Sequence, residues 1–159
     1  MNIVAIGAHP DDLEIFAYGF LAAASSRGDN LMLGVATDGA AGGVIQGAEL
    51  AKQRAEEAKN GLAALGTPTL LDLPDGQLAD APNARSRIRD FIRNAAPDLV
   101  ITHAPEDYHP DHRALATYVS DGAGFICPVL FCDTLMGVGF TPDYYIDVTP
   151  YFAAKQKAI

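Results

Sequence analysis

The chain has 159 residues, 49% of them apolar and 19% charged, with two cysteines and no tryptophan. That length and apolar content suit one domain able to bury roughly 70% of its unfolded surface; they exclude a disordered chain, and two cysteines exclude a disulfide scaffold. Eleven Lys and Arg against 20 Asp and Glu leave a formal charge of −9, so there is no basic footprint for nucleic acid or for an anionic membrane surface.

The first apolar run, residues 2–8, reads as a strand and not as an export signal. No run reaches the ~20 apolar residues of a membrane span, and the expectation is a cytoplasmic protein. Over residues 13–27, Leu13, Phe16, Ala17, Phe20, Leu21 and Ala24 recur at three and four, which predicts a helix. A second strand follows at 31–37, then a loop with four glycines at 38–47, then a helix at 49–65 closed by Gly66. Residues 69–73 read as a third strand, and Pro74-Asp75-Gly76 as a turn. Asn83 stands where a cap would begin a third helix carrying Ile88, Phe91, Ile92 and Ala95. A fourth strand at 99–102, a helix at about 110–119, and further strands at 129–133 and 144–148 complete the pattern. Residues 150–159 look like the first turns of another helix that stops without a capping signal, which reads as a single domain, 1–159, lacking a C-terminal segment. Repeated strand–helix alternation predicts βαβ units and a mostly parallel sheet covered on both faces.

Ligands of such sheets bind outside the carboxyl ends of the strands. Two similar segments fall at that edge: His9-Pro10-Asp11-Asp12 after the first strand and His109-Pro110-Asp111-His112 after the fourth. Proline favours the first position of a helix, where its missing N–H costs nothing. The first histidine of each segment is then expected at the helix N-cap, with the fourth residue projecting to the same side. Two such starts facing one crevice bring histidines and carboxylates together. Catalytic zinc takes three such ligands and keeps one position for water, and His9, Asp12 and His112 form a two-histidine, one-carboxylate set. Asp11 is placed to reach the metal-bound water as a base, and Asp111 to hold the ring N–H of His109. Each segment by itself is also an ordinary helix start with polar caps; it is their pairing that favours a metal site.

Ala8-His9-Pro10-Asp11-Asp12 with Glu14, Thr37-Asp38-Gly39, Arg54 with Glu57, Leu73-Pro74-Asp75-Gly76, Pro97-Asp98-Leu99-Val100, His109-Pro110-Asp111-His112-Arg113 and Asp147-Val148-Thr149-Pro150 follow one another in this chain. In that order and spacing they resemble the LmbE-like (PIG-L superfamily) zinc-dependent N-deacetylases over nearly the whole length. The resemblance implies a Rossmann-like three-layer α/β sandwich with a mostly parallel sheet. It implies hydrolysis of an N-acetyl group from a small amino sugar or amino-sugar conjugate by a zinc-bound water, with iron(II) as an alternative metal. It also implies self-association into a homo-oligomer. Carried over by position, His9, Asp12 and His112 match the zinc ligands and Asp11 the general base. His109 matches the group that stabilises the oxyanion or protonates the leaving amine, and Asp111 its charge partner. Some relatives carry a tyrosine where Asp107 stands; Tyr108, one position later, receives no role.

Other positions carry two readings each. Arg54 either grips substrate hydroxyl or phosphate groups or pairs with Glu57 or another acid. Asp75 binds sugar hydroxyls or is a turn aspartate. Asp38 orients a zinc histidine from outside the metal shell or caps a loop. The 38–47 loop reads as a flexible rim, His103 as a structural histidine, and Glu106 and Asp107 as solvated loop acids. Cys127 and Cys132 read as core. The competing functional class is a non-catalytic Rossmann-like nucleotide- or metal-binding subunit, against which the first strand–helix turn, Gly7-Ala8-His9-Pro10, lacks the glycine fingerprint.

Overall fold

The structure, a computed structural model, describes residues 1–45 and 47–159. Five strands form one parallel sheet: β1 (Asn2–Gly7), β2 (Asn30–Thr37), β3 (Thr69–Leu73), β4 (Leu99–His103) and β5 (Val129–Cys132), in the order β3-β2-β1-β4-β5. The helices are α1 (Tyr18–Ser26), α2 (Ala48–Leu62), α3 (Ala84–Asn94), α4 (Pro110–Ala123) and α5 (Phe152–Ala158). Period-two alternation along β1 sends Val4 and Ile6 into one core, with Ile88 and Ile92 of α3 and Leu115 and Val119 of α4. Ile3 and Ala5 enter the opposite core with Leu21 of α1 and Leu62 of α2. Both faces of the sheet are therefore covered, and the chain is the three-layer α/β sandwich expected. No helix among the described residues is long and apolar enough to cross a membrane.

Strand order reverses between β1 and β4, which open a crevice at their carboxyl ends. The segment after β1 and the segment after β4 are its two walls.

Three local expectations are corrected. The helix anticipated at 13–27 opens with a π-helical turn, Leu13–Ala17, before α1 begins; such turns gather at functional sites. Asn83 holds the N-cap position of α3 in a left-handed conformation, and its side chain makes no capping hydrogen bond among the described residues. Residues 144–148 are not a strand. β5 pairs with β4, and the later segment docks on α1, where Val148 lies against Gly19 so closely that a Cβ there would overlap it.

Candidate metal centre

The two histidine segments adopt different backbones. His109 is the N-cap of α4 with Pro110 at its first position, as the sequence predicts, and its Nδ1 accepts the Asp111 N–H at 3.2 Å. In the first segment His9 is not an N-cap: a turn intervenes, with the Asp12 N–H donating to the His9 carbonyl at 3.2 Å and Asp11 at φ 110°, and Asp12 stands at the N-cap of the π-helical turn. That left-handed value costs a non-glycine residue of order 1–3 kcal/mol. Arg54 from α2 braces the turn by donating to the Pro10 carbonyl and, at 2.8 Å, to Asp11 Oδ2.

The turn folds Asp12 back beneath the strand end. Its Oδ2 accepts the His9 N–H at 2.6 Å, and its Cβ rests on Gly7, where an added Cβ would lie 2.7 Å away. Gly7→Ala is expected to cost about 1–3 kcal/mol of stability by overpacking and to weaken metal binding. Urea unfolding and metal titration of the variant check both.

His9 Nδ1, Asp12 Oδ2 and His112 Nε2 converge. The separations are 3.2 Å between the two ring nitrogens and 3.4 Å from each to the carboxylate oxygen. A tetrahedral centre with bonds of 2.0–2.1 Å has ligand–ligand edges of about 3.3–3.4 Å. The donor set and its spacing thus fit zinc, and the same donors suit iron(II).

The outer atoms of both histidines are engaged by carboxylates, the arrangement that orients metal-binding imidazoles. His9 Nε2 lies 3.3 Å from Asp111 Oδ2 and 3.2 Å from Asp75 Oδ1. His112 Nδ1 lies 3.0 Å from Asp107 Oδ2. Asp111 is itself fixed by the N–H groups of Gly76 at 2.7 Å and Leu78 at 3.0 Å. His103, at the end of β4, stacks on His112 with ring centroids 3.6 Å apart and puts Nε2 3.0 Å from Asp12 Oδ2. Phe16 of the π-helical turn presents its ring edge-on to both imidazoles.

Proton affinities follow from these contacts. Burial disfavours a charge on His9, but hydrogen bonds to Asp111 and Asp12 outweigh it and raise the imidazole to about 10. Burial likewise opposes His112, and Asp12 and Asp107 raise it. Asp12 is buried too, yet the surrounding His103, His112 and His9 hold its carboxyl well below the usual carboxylate range. Burial raises Asp11, reinforced by the Asp12 charge and opposed by Arg54. Burial lowers His109, helped by His9 and His112. A site that holds protons this firmly without metal is one that a divalent cation can replace them in.

The predicted residues are therefore brought together with some partners exchanged. The Asp111 carboxylate faces His9, and only its backbone touches His109. Asp75 turns inward to His9 and accepts the Ala41 N–H at 2.9 Å. Arg54 pairs with Asp11, with Gly42 packed so closely on its side chain that an added Cβ would strike it and Gly39 packed tightly on Pro10 and Arg54. Asp38 reaches no histidine among the described residues; its Oδ1 accepts the N–H groups of Ala40 at 3.0 Å and Asp75 at 3.3 Å, which orders the loop that carries Asp75. The 38–47 loop is described except for residue 46. Glu106 is exposed as expected, but Asp107 is 1% exposed and not a solvated loop acid. Asp107 and His103 are the participants that sequence reasoning missed. The available signals were the place of His103 at the end of the strand flanking the crevice and the carboxylate five residues ahead of His112.

A family model described as PIG-L, GlcNAc-PI de-N-acetylase, matches residues 4–122. The uncharacterized deacetylase YaiS of Escherichia coli strain K12 is 33% identical over 173 aligned residues, spanning 99% of this chain and 88% of the relative. The structure superposes on N,N'-diacetylchitobiose deacetylase from Pyrococcus horikoshii with a TM-score of 0.86 at 24% identity, over 98% of this chain and 67% of that one. It also superposes on 4-carboxy-2-hydroxymuconate hydratase from Pseudomonas putida KT2440 with a TM-score of 0.82 at 20% identity, over 99% and 77%. The fold therefore hosts more than one reaction, and family membership rests on the sequence matches together with the paired histidine segments. On those grounds the chain belongs to the PIG-L (LmbE-like) family of deacetylases.

Proposed function

We propose that the protein is a metal-dependent amide hydrolase that removes the N-acetyl group from a small amino sugar or amino-sugar conjugate. The observation that carries this reading is the spacing of His9 Nδ1, Asp12 Oδ2 and His112 Nε2 at 3.2–3.4 Å, with the His109 ring beside them. A divalent ion held by those three atoms supplies Lewis acidity toward an amide carbonyl and lowers the pKa of water it binds to about 7. Zinc and iron(II) both suit the donors.

The chain's own groups divide the remaining work. Asp11 has a side chain 48% exposed at the tip of the turn, with Oδ2 held by Arg54, so a proton from water is taken at Oδ1. Its raised affinity for protons suits a base that must also give the proton back. His109 Nδ1 accepts the Asp111 N–H, so the neutral ring carries its proton on Nε2 and donates from there to a developing oxyanion. Protonation of the nitrogen by Asp11 or His109 then expels the amine. Arg54 holds Asp11, and Asp75 and Asp111 hold His9. A nucleotide-binding role is opposed by the same crevice: Pro10 has no N–H to offer a phosphate, and Asp11, Asp12, Asp75, Asp107 and Asp111 would repel one.

The test is metal analysis of the purified protein combined with an amine-release assay over N-acetylglucosamine, its oligomers and its glycosides. The expected result is equimolar amine and acetate, lost on chelation and restored by zinc or iron(II). Metal-replete protein inert toward every N-acetyl sugar would overturn the proposal.

A further inference from the structure

We infer that Asp107 is a positioning residue whose carboxylate selects the tautomer of His112 and locks His109 and His112 into one unit. The inference rests on the reading of His9, Asp12 and His112 as the metal set. Asp107 lies in the loop between β4 and α4, and its two oxygens serve different donors. Oδ1 accepts the His109 N–H at 2.9 Å, and Oδ2 faces His112 Nδ1 at 3.0 Å. Behind it, Arg113 donates to the Asp107 carbonyl at 2.8 Å and to the Tyr108 carbonyl at 2.6 Å, closing the loop onto α4.

The turn that leads into α4 needs one of these bonds, that of Oδ1 to the backbone N–H two residues on. Asn would supply it as well as Asp does. The second bond is where a carboxylate differs. An ionised carboxylate only accepts, so His112 Nδ1 must be the donor, and the lone pair of the neutral ring is left on Nε2. Nε2 is the atom that meets His9 and Asp12.

The substitution Asp107→Asn would reverse this while keeping shape and size. The His109 backbone N–H can only donate, so it claims the amide oxygen. The amide NH2 then points at His112 Nδ1, which has to accept, and the ring proton moves to Nε2, the wrong nitrogen for a metal. A carboxylate-to-amide change beside a catalytic histidine has this tautomeric effect in serine proteases.

The experiment uses the full chain. Zinc affinity of wild type, Asp107→Asn and Glu106→Gln is measured by competition with a chelating dye. Ring nitrogen NMR reports which nitrogen of His112 is protonated, at a pH where the ring is neutral. Asp107→Asn is expected to bind zinc 10–100-fold more weakly, in the range for groups that orient metal ligands, and to carry the His112 proton on Nε2. Wild type carries it on Nδ1. Zinc-saturated Asp107→Asn should lose kcat with little change in KM. Glu106→Gln removes the neighbouring exposed charge and should bind zinc like wild type. Equal zinc affinity in wild type and Asp107→Asn, equal losses in the two variants, or a wild-type His112 protonated on Nε2 would each overturn the inference. Wild type that binds no zinc would instead overturn the metal-site reading. The nitrogen spectrum of wild type, which does not depend on a stable variant, would still decide the role of Asp107.

Discussion

His112→Ala is expected to lose its metal, whereas His109→Ala is expected to keep the metal and lose turnover. The two side chains stand three residues apart on one helix start with ring centroids 4.8 Å apart, so proximity alone would predict similar defects. Their bonding separates them. His112 Nε2 is a corner of the donor triangle, and its removal leaves two ligands where a catalytic zinc site has three. His109 Nδ1 is spent on the Asp111 N–H, so in the proposed mechanism the ring acts on substrate through its Nε2–H and holds no metal. Deleting an oxyanion donor typically costs about 10²–10³ in rate. Metal content after dialysis, read beside kcat, makes the comparison. A His112→Ala protein with a full complement of zinc would show the ligand assignment to be wrong.

The metal-free protein should lose stability as pH rises from about 6.5 toward 10, and the zinc-loaded protein should not. His9 is raised in the folded state to about 10, above its unfolded value of 6.5. The folded state therefore binds the proton more tightly, and the contribution is fully present below pH 6.5 and disappears as pH climbs through about 10. His112 is raised by its contacts with Asp12 and Asp107 and acts in the same direction. Asp12 has the opposite sign: its lowered value contributes above the unfolded carboxylate range and is lost as acid titrates it. Metal-free protein is thus most stable in mildly acidic solution. Zinc takes the place of the imidazole protons, releases them on binding, and removes the alkaline slope. Thermal unfolding of chelated and zinc-loaded protein between pH 6 and 10 tests this, with a pH indicator counting the protons released. A chelated protein with a flat profile over that range would contradict the proton-holding role of His9.

The first four strands, the helices between them and the two histidine segments were legible along the chain because each depends on local pattern. Val4 and Ile6 alternate with Ile3 and Ala5 whatever lies far away, and the two His-Pro-Asp segments follow strands that such apolar runs mark. The family was legible for a related reason, since motif order along the chain survives when contacts are unknown.

Partner choice was not legible. Asp111 and His109 are two residues apart, so a local reading pairs them; in the fold, the Gly76 and Leu78 amides draw the Asp111 carboxylate toward His9, about a hundred residues away in the chain. Asp107 reads as a loop acid until α4 closes over it. His103 reads as a structural histidine until the crevice between β1 and β4 stacks it on His112. The His9–Asp12 turn reads as a helix start until Arg54, from α2, holds Asp11 at a positive φ that a helix would not allow. Sequence by itself determined which chemical groups this protein carries and which strand ends present them. Tertiary structure decided which carboxylate serves which imidazole, because hydrogen bonding depends on distance and direction in space, and neither is encoded by separation along the chain.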